Sequence, residues 1–315
     1  MSLRNAPTFK QPTDCPEWLK PFFQGQYKYL NSGGFKHVFS NGECAISVEK
    51  YILNFEKDRN EVYDVLRTIP KEFSDHFVIP TKTYYVQFRV KPERRRMASF
   101  QPLSGETKYA EEEDIYVLFS LMNLCPKGDI LTTLERKNNK KYPITEKHIG
   151  DLANALKYVH SRGIYIGDLK AENIALCTCD CLAFLDLDMA SIPSSFEGNF
   201  LVRRTTGDKW WNPITQWLIR QKAVPKEICA FNDWFAFAIL YMLHSAKNGD
   251  MIPDWADELD AQYSKRYGSV GDLRVKQLKN KRLKEAIGLY NKANLYFNLN
   301  MEYEFGVYKE FVATF

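Results

Sequence analysis

Apolar residues recur along the chain in two periods, one of two residues and one of three to four. Alternation begins at Tyr27, and Asn41-Gly42 marks a tight turn before a strand from Cys44 to Ile52. Two further strands read from Thr83 to Val90 and from Asp114 to Met122. The short apolar runs Ile174-Ala175-Leu176 and Leu182-Ala183-Phe184-Leu185 read as buried strands of a hairpin. Helical spacing puts Val62, Val65, Leu66 and Ile69 on one stripe of a helix over 55–69. It likewise puts Ile149, Leu152, Ala155, Leu156, Val159 and His160 on one side of a helix from Thr145 to Arg162, with His160 read as a packing residue. A basic amphipathic helix is expected over 268–289, carrying Lys276, Lys279, Lys281, Arg282 and Lys284 beside Leu278, Leu283 and Ile287. The aromatic-rich segment from Tyr290 to Phe315 reads as a helical cap.

Two stretches lack either period. Residues 1–26 form a proline-interrupted extension expected to pack on the surface of the domain after it. The stretch 91–113 opens Lys91-Pro92-Glu93-Arg94-Arg95-Arg96 and closes Glu111-Glu112-Glu113, the composition of a mobile or self-pairing insertion. No internal repeat is present.

Composition adds limits. With 315 residues, 45% hydrophobic and 14% aromatic, the chain can bury a large core. A net charge of +4 without a basic-aromatic module gives no reason to expect a nucleic-acid partner. Asp14, Glu17 and three prolines rule out a secretory signal over the first twenty residues, and no later segment reads as long and apolar enough to cross a membrane, so no membrane partner is expected. Seven scattered cysteines fit a reducing, cytoplasmic compartment better than a disulfide framework, and Cys177, Cys179 and Cys181 read as small residues in tight strands.

The chemistry concentrates in Gly167-Asp168-Leu169-Lys170-Ala171-Glu172-Asn173 and in the following Asp186-Leu187-Asp188, each at the end of an apolar run. Phosphoryl transfer needs a carboxylate to orient the attacking hydroxyl and take its proton, and hard oxygen ligands for a metal. Asp168 suits the first role, Asn173 and Asp186 the second, and Lys170 can steady the transferring phosphate. An isolated acid or amide more often caps a turn; the ordered set is what points to catalysis.

This set resembles the catalytic and metal-binding loops of the protein kinase family, whose pattern is His-Arg-Asp-Leu-Lys-x-x-Asn and then Asp-Phe-Gly. The resemblance spans about residues 27–243. It implies an α+β, bilobal fold: an extension over 1–26, a small β-rich N-lobe over 27–122 with the insertion, and a hinge with a mainly helical C-lobe over 123–315. It also implies ATP with magnesium or manganese, and a protein substrate phosphorylated on serine or threonine, the specificity that a lysine at position 170 marks. Asp168 and Lys170 would be catalytic, with Asn173 and Asp186 on the metal.

The implied ATP site continues upstream. Leu30-Asn31-Ser32-Gly33-Gly34-Phe35-Lys36-His37-Val38 resembles the nucleotide-covering loop, with Gly33 on the phosphates and Leu30 and Val38 on the adenine. Residues two apart share a strand face, so Val48 and Lys50 are read as the pair facing ATP, with Lys50 held by Glu61; Ser47 and Glu56 are the alternatives. Met122, Asn123, Cys125 and Asp129 resemble the hinge, and Ala175 would lie beneath the nucleotide. Asn232-Asp233-Trp234 resembles the start of the central C-lobe helix, whose aspartate anchors the catalytic loop.

Several places depart from the family pattern. Ile166-Gly167 replaces His-Arg, so activity is not expected to depend on phosphorylation of the segment that holds Thr205 and Thr206. Asp188 replaces a glycine, and Ile214 follows Trp210-Trp211-Asn212-Pro213 where a glutamate is usual. Such departures leave two alternatives standing: a nucleotide-binding scaffold without efficient transfer, and a small-molecule kinase of the aminoglycoside or choline kinase type, whose Gly-Asp and Asp-x-Asp patterns resemble Gly167-Asp168 and 186–188.

Overall fold

The computed structural model describes residues 11–32, 36–50, 56–90, 113–130, 144–187, 189–192, 227–247, 280–299 and 305–315. The chain divides into two compact units, Met1–Asn54 with Pro80–Leu124, and Phe55–Ile79 with Cys125–Phe315. One is built on a β-sheet and the other is mainly helical, the α+β class expected.

The first unit is an antiparallel sheet of β1 (Lys28–Ser32), β2 (Lys36–Ser40), β3 (Cys44–Lys50), β4 (Lys82–Val90) and β5 (Glu113–Asn123), in the order β1-β2-β3-β5-β4. Asn41 closes the β2–β3 turn by accepting from the backbone N–H groups of Glu43 and Cys44, each at 3.0 Å. Val90 pairs with Glu113, so residues 91–112 leave and re-enter the sheet at facing positions of neighbouring strands. The insertion itself lies outside the described residues, as does Gly33.

One face of this sheet carries Phe39, Ile46, Val48, Val86, Val117 and Phe119. It is covered from within the unit. A 3-10 turn at Glu17–Leu19 and the short helix α1 (Lys20–Phe23) lay Leu19, Phe22 and Phe23 on it, with the Phe22 ring 5.0 Å from that of Phe39 and 5.5 Å from that of Phe119. Edge-on aromatic pairs of this kind add about 0.5–1.5 kcal/mol each beyond the area they bury. From residue 11 on, the extension lies on this face of the sheet, with Cys15 and Leu19 buried there. Its prolines hide the pattern: Pro21 stands in the first turn of α1, where no backbone N–H is needed.

The second unit is organised around α5 (Glu227–Lys247), which follows α2 (Glu56–Leu66), α3 (Lys71–Ser74) and α4 (Glu146–Ser161) and precedes α6 (Lys281–Leu299) and α7 (Tyr308–Val312). A helix that is apolar all round must be buried, and α5 is buried without a break from Ile228 to Met242. By length and composition its Ile228–Ser245 window would also cross a membrane, contrary to the sequence expectation, yet 94% of that window is buried in the fold. Phe235 stacks on Tyr290 of α6 at 5.5 Å, and Phe311 of α7 is fully buried against Trp234, Phe237 and Tyr241. The basic helix and the aromatic cap expected from sequence are not separate at residue 289: α6 runs through that boundary.

The remaining elements present the loops that matter. Thr145 caps α4 by accepting from His148 N–H, while His148 Nδ1 accepts from the Thr145 backbone. Strands β6 (Ile174–Leu176) and β7 (Leu182–Phe184) form the expected hairpin, anchored where His76 Nδ1 meets Leu182 O at 2.6 Å and Val78 N–H donates to Phe184 O at 2.8 Å. Helix α2 packs Val62, Tyr63 and Leu66 into this same core, so it belongs with the helical unit rather than with the sheet that precedes it in sequence.

Candidate active site

Helix α4 ends at Ser161, and the chain turns through Gly163 into Ile164 and Ile166, both buried. Tyr165 and Ser191 then exchange two backbone hydrogen bonds, at 3.0 and 2.9 Å, which ties the loop to the segment after Asp186. Gly167 occupies the left-handed region at φ +78°, and a Cβ there would come within 2.6 Å of Met189 O. Both the dihedral and the close backbone approach demand glycine. Gly167→Ala is expected to cost about 1–3 kcal/mol, read as a lower urea midpoint with an unchanged slope.

The loop backbone is clamped from below. Asp233, in the second turn of α5 and 0% exposed, accepts from Ile166 N–H at 2.7 Å and from Gly167 N–H at 2.9 Å, one on each carboxylate oxygen. His160 Nε2 lies 2.9 Å from Asp233 Oδ2, and Trp234 Nε1–H donates to His160 Nδ1 at 3.1 Å. An indole N–H is a donor only, so Nδ1 accepts and Nε2 carries the proton toward Asp233. The structure displays Asp233 as the loop anchor that the resemblance implies. His160 is a packing residue with both ring nitrogens satisfied; its partners are 73 and 74 residues away, and nothing local in the sequence announces them.

Above this clamp sit the chemical groups. Asp168 Oδ2 accepts from Asn173 Nδ2 at 2.9 Å and pairs with Lys170 Nζ at 2.9 Å, while Asn173 Nδ2 also donates to Asp168 O at 3.0 Å. A 3-10 turn over Ala171–Asn173 makes this possible, folding Asn173 N–H onto Lys170 O at 3.0 Å. The side chains of Asp168 and Lys170 are 15% and 18% exposed, sheltered yet open to a reactant. With Oδ2 held by two donors, Oδ1 is the oxygen positioned to meet a hydroxyl.

Asp186 enters through the hairpin. Leu185 N–H donates to Asn173 O at 2.8 Å and Leu187 is buried, so partly exposed Asp186 emerges beside Asn173. Because the Asn173 amide nitrogen is directed at Asp168, its Oδ1 is the atom available to a cation. One amide oxygen and one carboxylate fit magnesium, which takes few protein ligands and completes its shell with phosphate and water. Among the described residues no cluster of three His, Cys, Asp or Glu side chains stands together. Asp188, Thr205, Thr206 and 210–214 lie outside the described residues.

Other expected contacts fall on both units. In the second, Asp129 bridges Ala175, and Leu176 N–H donates to Gly128 O at 3.3 Å, drawing the segment after Cys125 alongside β6. Cys125 and Cys177, with Cα atoms 4.1 Å apart, form a disulfide there, and Cys179 bonds Cys181 across the β6–β7 turn. These bonds correct the expectation that 177, 179 and 181 are merely small strand residues; the partner of Cys177 is 52 positions away in sequence. Glu61 is exposed on α2.

In the first unit, Leu30 lies at a β-bulge and is 55% exposed, and Asn123 ends β5 opposite Cys44. Register decides the faces. Val38 pairs with Ser47, Ala45 with Met122, and Ser47 with Ser120, so these five share one face. Val48 pairs with Phe119 and Lys50 with Val117, in the row of Ile46, on the face that α1 covers. Val48 and Lys50 are therefore not on the face of Val38 and Met122; the alternative residue, Ser47, is.

No family model matches the chain. It is 28% identical over 90 residues to CBL-interacting protein kinase 30 of Oryza sativa subsp. japonica, covering 29% of this chain and 19% of that protein. It is 25% identical over 148 residues to CBL-interacting protein kinase 31 of the same organism, 47% of this chain and 31% of that one. Serine/threonine-protein kinase SBK2 of Homo sapiens is 35% identical over 57 residues, 18% and 16% of the two chains. The matched stretches span less than a third of each relative's length. Over these stretches the chain is similar to serine/threonine protein kinases, which supports a kinase-like phosphotransferase in general terms.

Proposed function

We propose that this protein transfers the γ-phosphoryl group of ATP to a serine or threonine hydroxyl of a protein substrate. The observation that carries this reading is the Asp168 carboxylate, held through Oδ2 by Asn173 and Lys170 on a loop whose backbone Asp233 clamps. Asp168 Oδ1 accepts the proton of the attacking hydroxyl, and Lys170, already beside that carboxylate, offsets charge on the moving phosphate. Asn173 Oδ1 and the Asp186 carboxylate would hold magnesium, whose charge offsets that of the triphosphate. Gly167 stands where the family has a phosphate-receiving arginine, so activity is independent of phosphorylation at Thr205 or Thr206.

The test is a transfer assay with labelled ATP, generic protein substrates and a panel of hydroxylated small molecules, run beside Asp186→Ala. Label on protein, reduced in Asp186→Ala, is the expected result. Label confined to small molecules would replace the protein substrate with a small one. Intact nucleotide binding without transfer to anything would leave a scaffold.

A further inference from the structure

We infer that the β6–β7 turn is a site of thiol–disulfide exchange, where a dithiol reductant opens the Cys179–Cys181 bond and the Cys181 thiolate then displaces Cys125 from Cys177. Of the seven cysteines, Cys125, Cys177, Cys179 and Cys181 meet here in two disulfides. The thiols lie elsewhere: Cys15 and Cys229 are buried, and Cys44 sits beside the Tyr27 hydroxyl. The two bonds differ in access. Cys179 is exposed on the turn and Cys181 is half-buried, whereas Cys177 is 7% exposed. Exchange requires one sulfur to approach another directly, so a reductant meets the turn bond first.

The hairpin brings the two bonds together. Thr178-Cys179-Asp180 is a three-residue loop, closed by Cys177 N–H donating to Cys181 O at 2.9 Å and Asp180 N–H donating to Cys177 O at 3.2 Å. Asp180 takes the left-handed conformation, φ 58°, that this kind of loop uses at its last position. Cys177 and Cys181 are thus directly opposite, extending the Leu176–Leu182 pairing by one step. Side chains paired in this way leave the same face, with Cβ atoms about 4.5–5.5 Å apart. Opposed residues joined by backbone hydrogen bonds have Cα atoms about 5.5 Å apart, within the range that a disulfide spans. Cys177 therefore has two partners within reach, Cys125 in the segment beside β6 and Cys181 across the hairpin. Lys127 Nζ meets Asp180 Oδ1 at 2.8 Å, and Leu176 N–H donates to Gly128 O at 3.3 Å. These bonds keep the segment after Cys125 at the hairpin, so the three sulfurs stay neighbours whichever two are joined.

The exchange balances in two steps. One thiolate of the reductant attacks Cys179 Sγ and Cys181 leaves as a thiolate; the second thiol then frees Cys179 and closes the reductant's own disulfide. The reductant has given up two electrons, and the protein holds them on Cys179 and Cys181. The Cys181 thiolate next attacks Cys177 Sγ, forms Cys177–Cys181 and expels Cys125, which takes up a proton. No further electrons are needed. A reducing event at the exposed turn thereby unfastens from β6 the segment that begins at Cys125.

The full chain is oxidised with glutathione disulfide, freed of it, treated with one equivalent of dithiothreitol and alkylated, and its peptides are mapped by mass spectrometry. Wild type is expected to carry alkyl groups on Cys125 and Cys179 and a bond between Cys177 and Cys181. Cys179→Ser/Cys181→Ser lacks the relay, so its Cys125–Cys177 bond should open about 10- to 100-fold more slowly, direct attack replacing an intramolecular one. Cys179→Ser alone keeps the Cys181 thiol and should free Cys125 with no reductant present. Cys179→Ala/Cys181→Ala repeats the comparison should the serine variant melt early. Alkylation of Cys179 and Cys181 with the Cys125–Cys177 bond intact overturns the inference. So does an equal opening rate in the double variant, a Cys125 that stays bonded in Cys179→Ser, or a wild-type chain that forms neither disulfide under the oxidant.

Discussion

Asp168→Asn is expected to lower kcat by about 10²- to 10⁴-fold, the range that a positioned general base contributes. ATP affinity should hardly change, because the proton transfer that Asp168 serves occurs only as the hydroxyl attacks. The substitution is close to isosteric, and the amide oxygen still accepts from Lys170 or Asn173 at the 2.9 Å spacing that the carboxylate now uses. What it removes is the basic lone pair on the free oxygen and the charge facing Lys170. The stability cost should be about 1 kcal/mol, since the Lys170–Asp168 pair is partly shielded and one charged hydrogen bond becomes a neutral one. Steady-state transfer and a urea melt on the same preparation separate the two effects. A kcat within about threefold of wild type would remove Asp168 from the chemistry and with it the reading of the whole loop.

Much of the fold was legible because periodicity and capping act locally. The strand expected from Thr83 to Val90 is Lys82–Val90, the one from Asp114 to Met122 is Glu113–Asn123, and the helix from Thr145 to Arg162 is Glu146–Ser161 with Thr145 as its cap. Strand β3 shows where such reading fails. Ala45, Ile46, Ser47 and Val48 are all buried, so no alternation of polar and apolar residues marks its two faces. Which face holds Lys50 follows from pairing with β2 and β5, and its partner on β5, Val117, is far away in sequence. How deeply the N-terminal segment packs was not legible because prolines interrupt its pattern, while Leu19 is fully buried. The loop residues 168–173 were legible for the opposite reason: their contacts span only two to five positions, within reach of a motif.

Asp233→Ala should be the most damaging single change for the fold. It would leave the N–H groups of Ile166 and Gly167, and the Nε2–H of His160, without their acceptor. An unsatisfied buried donor costs about 1–3 kcal/mol, and removal of a buried charged partner typically totals about 3–5 kcal/mol. Against a native stability of about 5–15 kcal/mol, that loss would show as a large drop in melting temperature and poor recovery of folded protein. Asp233→Asn tests the geometry more finely. It keeps the volume but offers one oxygen where two are used, and it turns an NH₂ group toward a backbone donor, so about half of the Ala effect is expected. Transfer should fall further than stability does in the Asn variant, because displacing the Gly167–Asp168 backbone by even a few tenths of an ångström misaims the carboxylate that the clamp positions. His160→Phe provides the ranking: it removes one donor to Asp233 and leaves both backbone N–H groups satisfied, so its melting temperature should lie above that of either Asp233 variant. The reverse order would mean that the imidazole, and not the loop backbone, is what the buried carboxylate is there to hold.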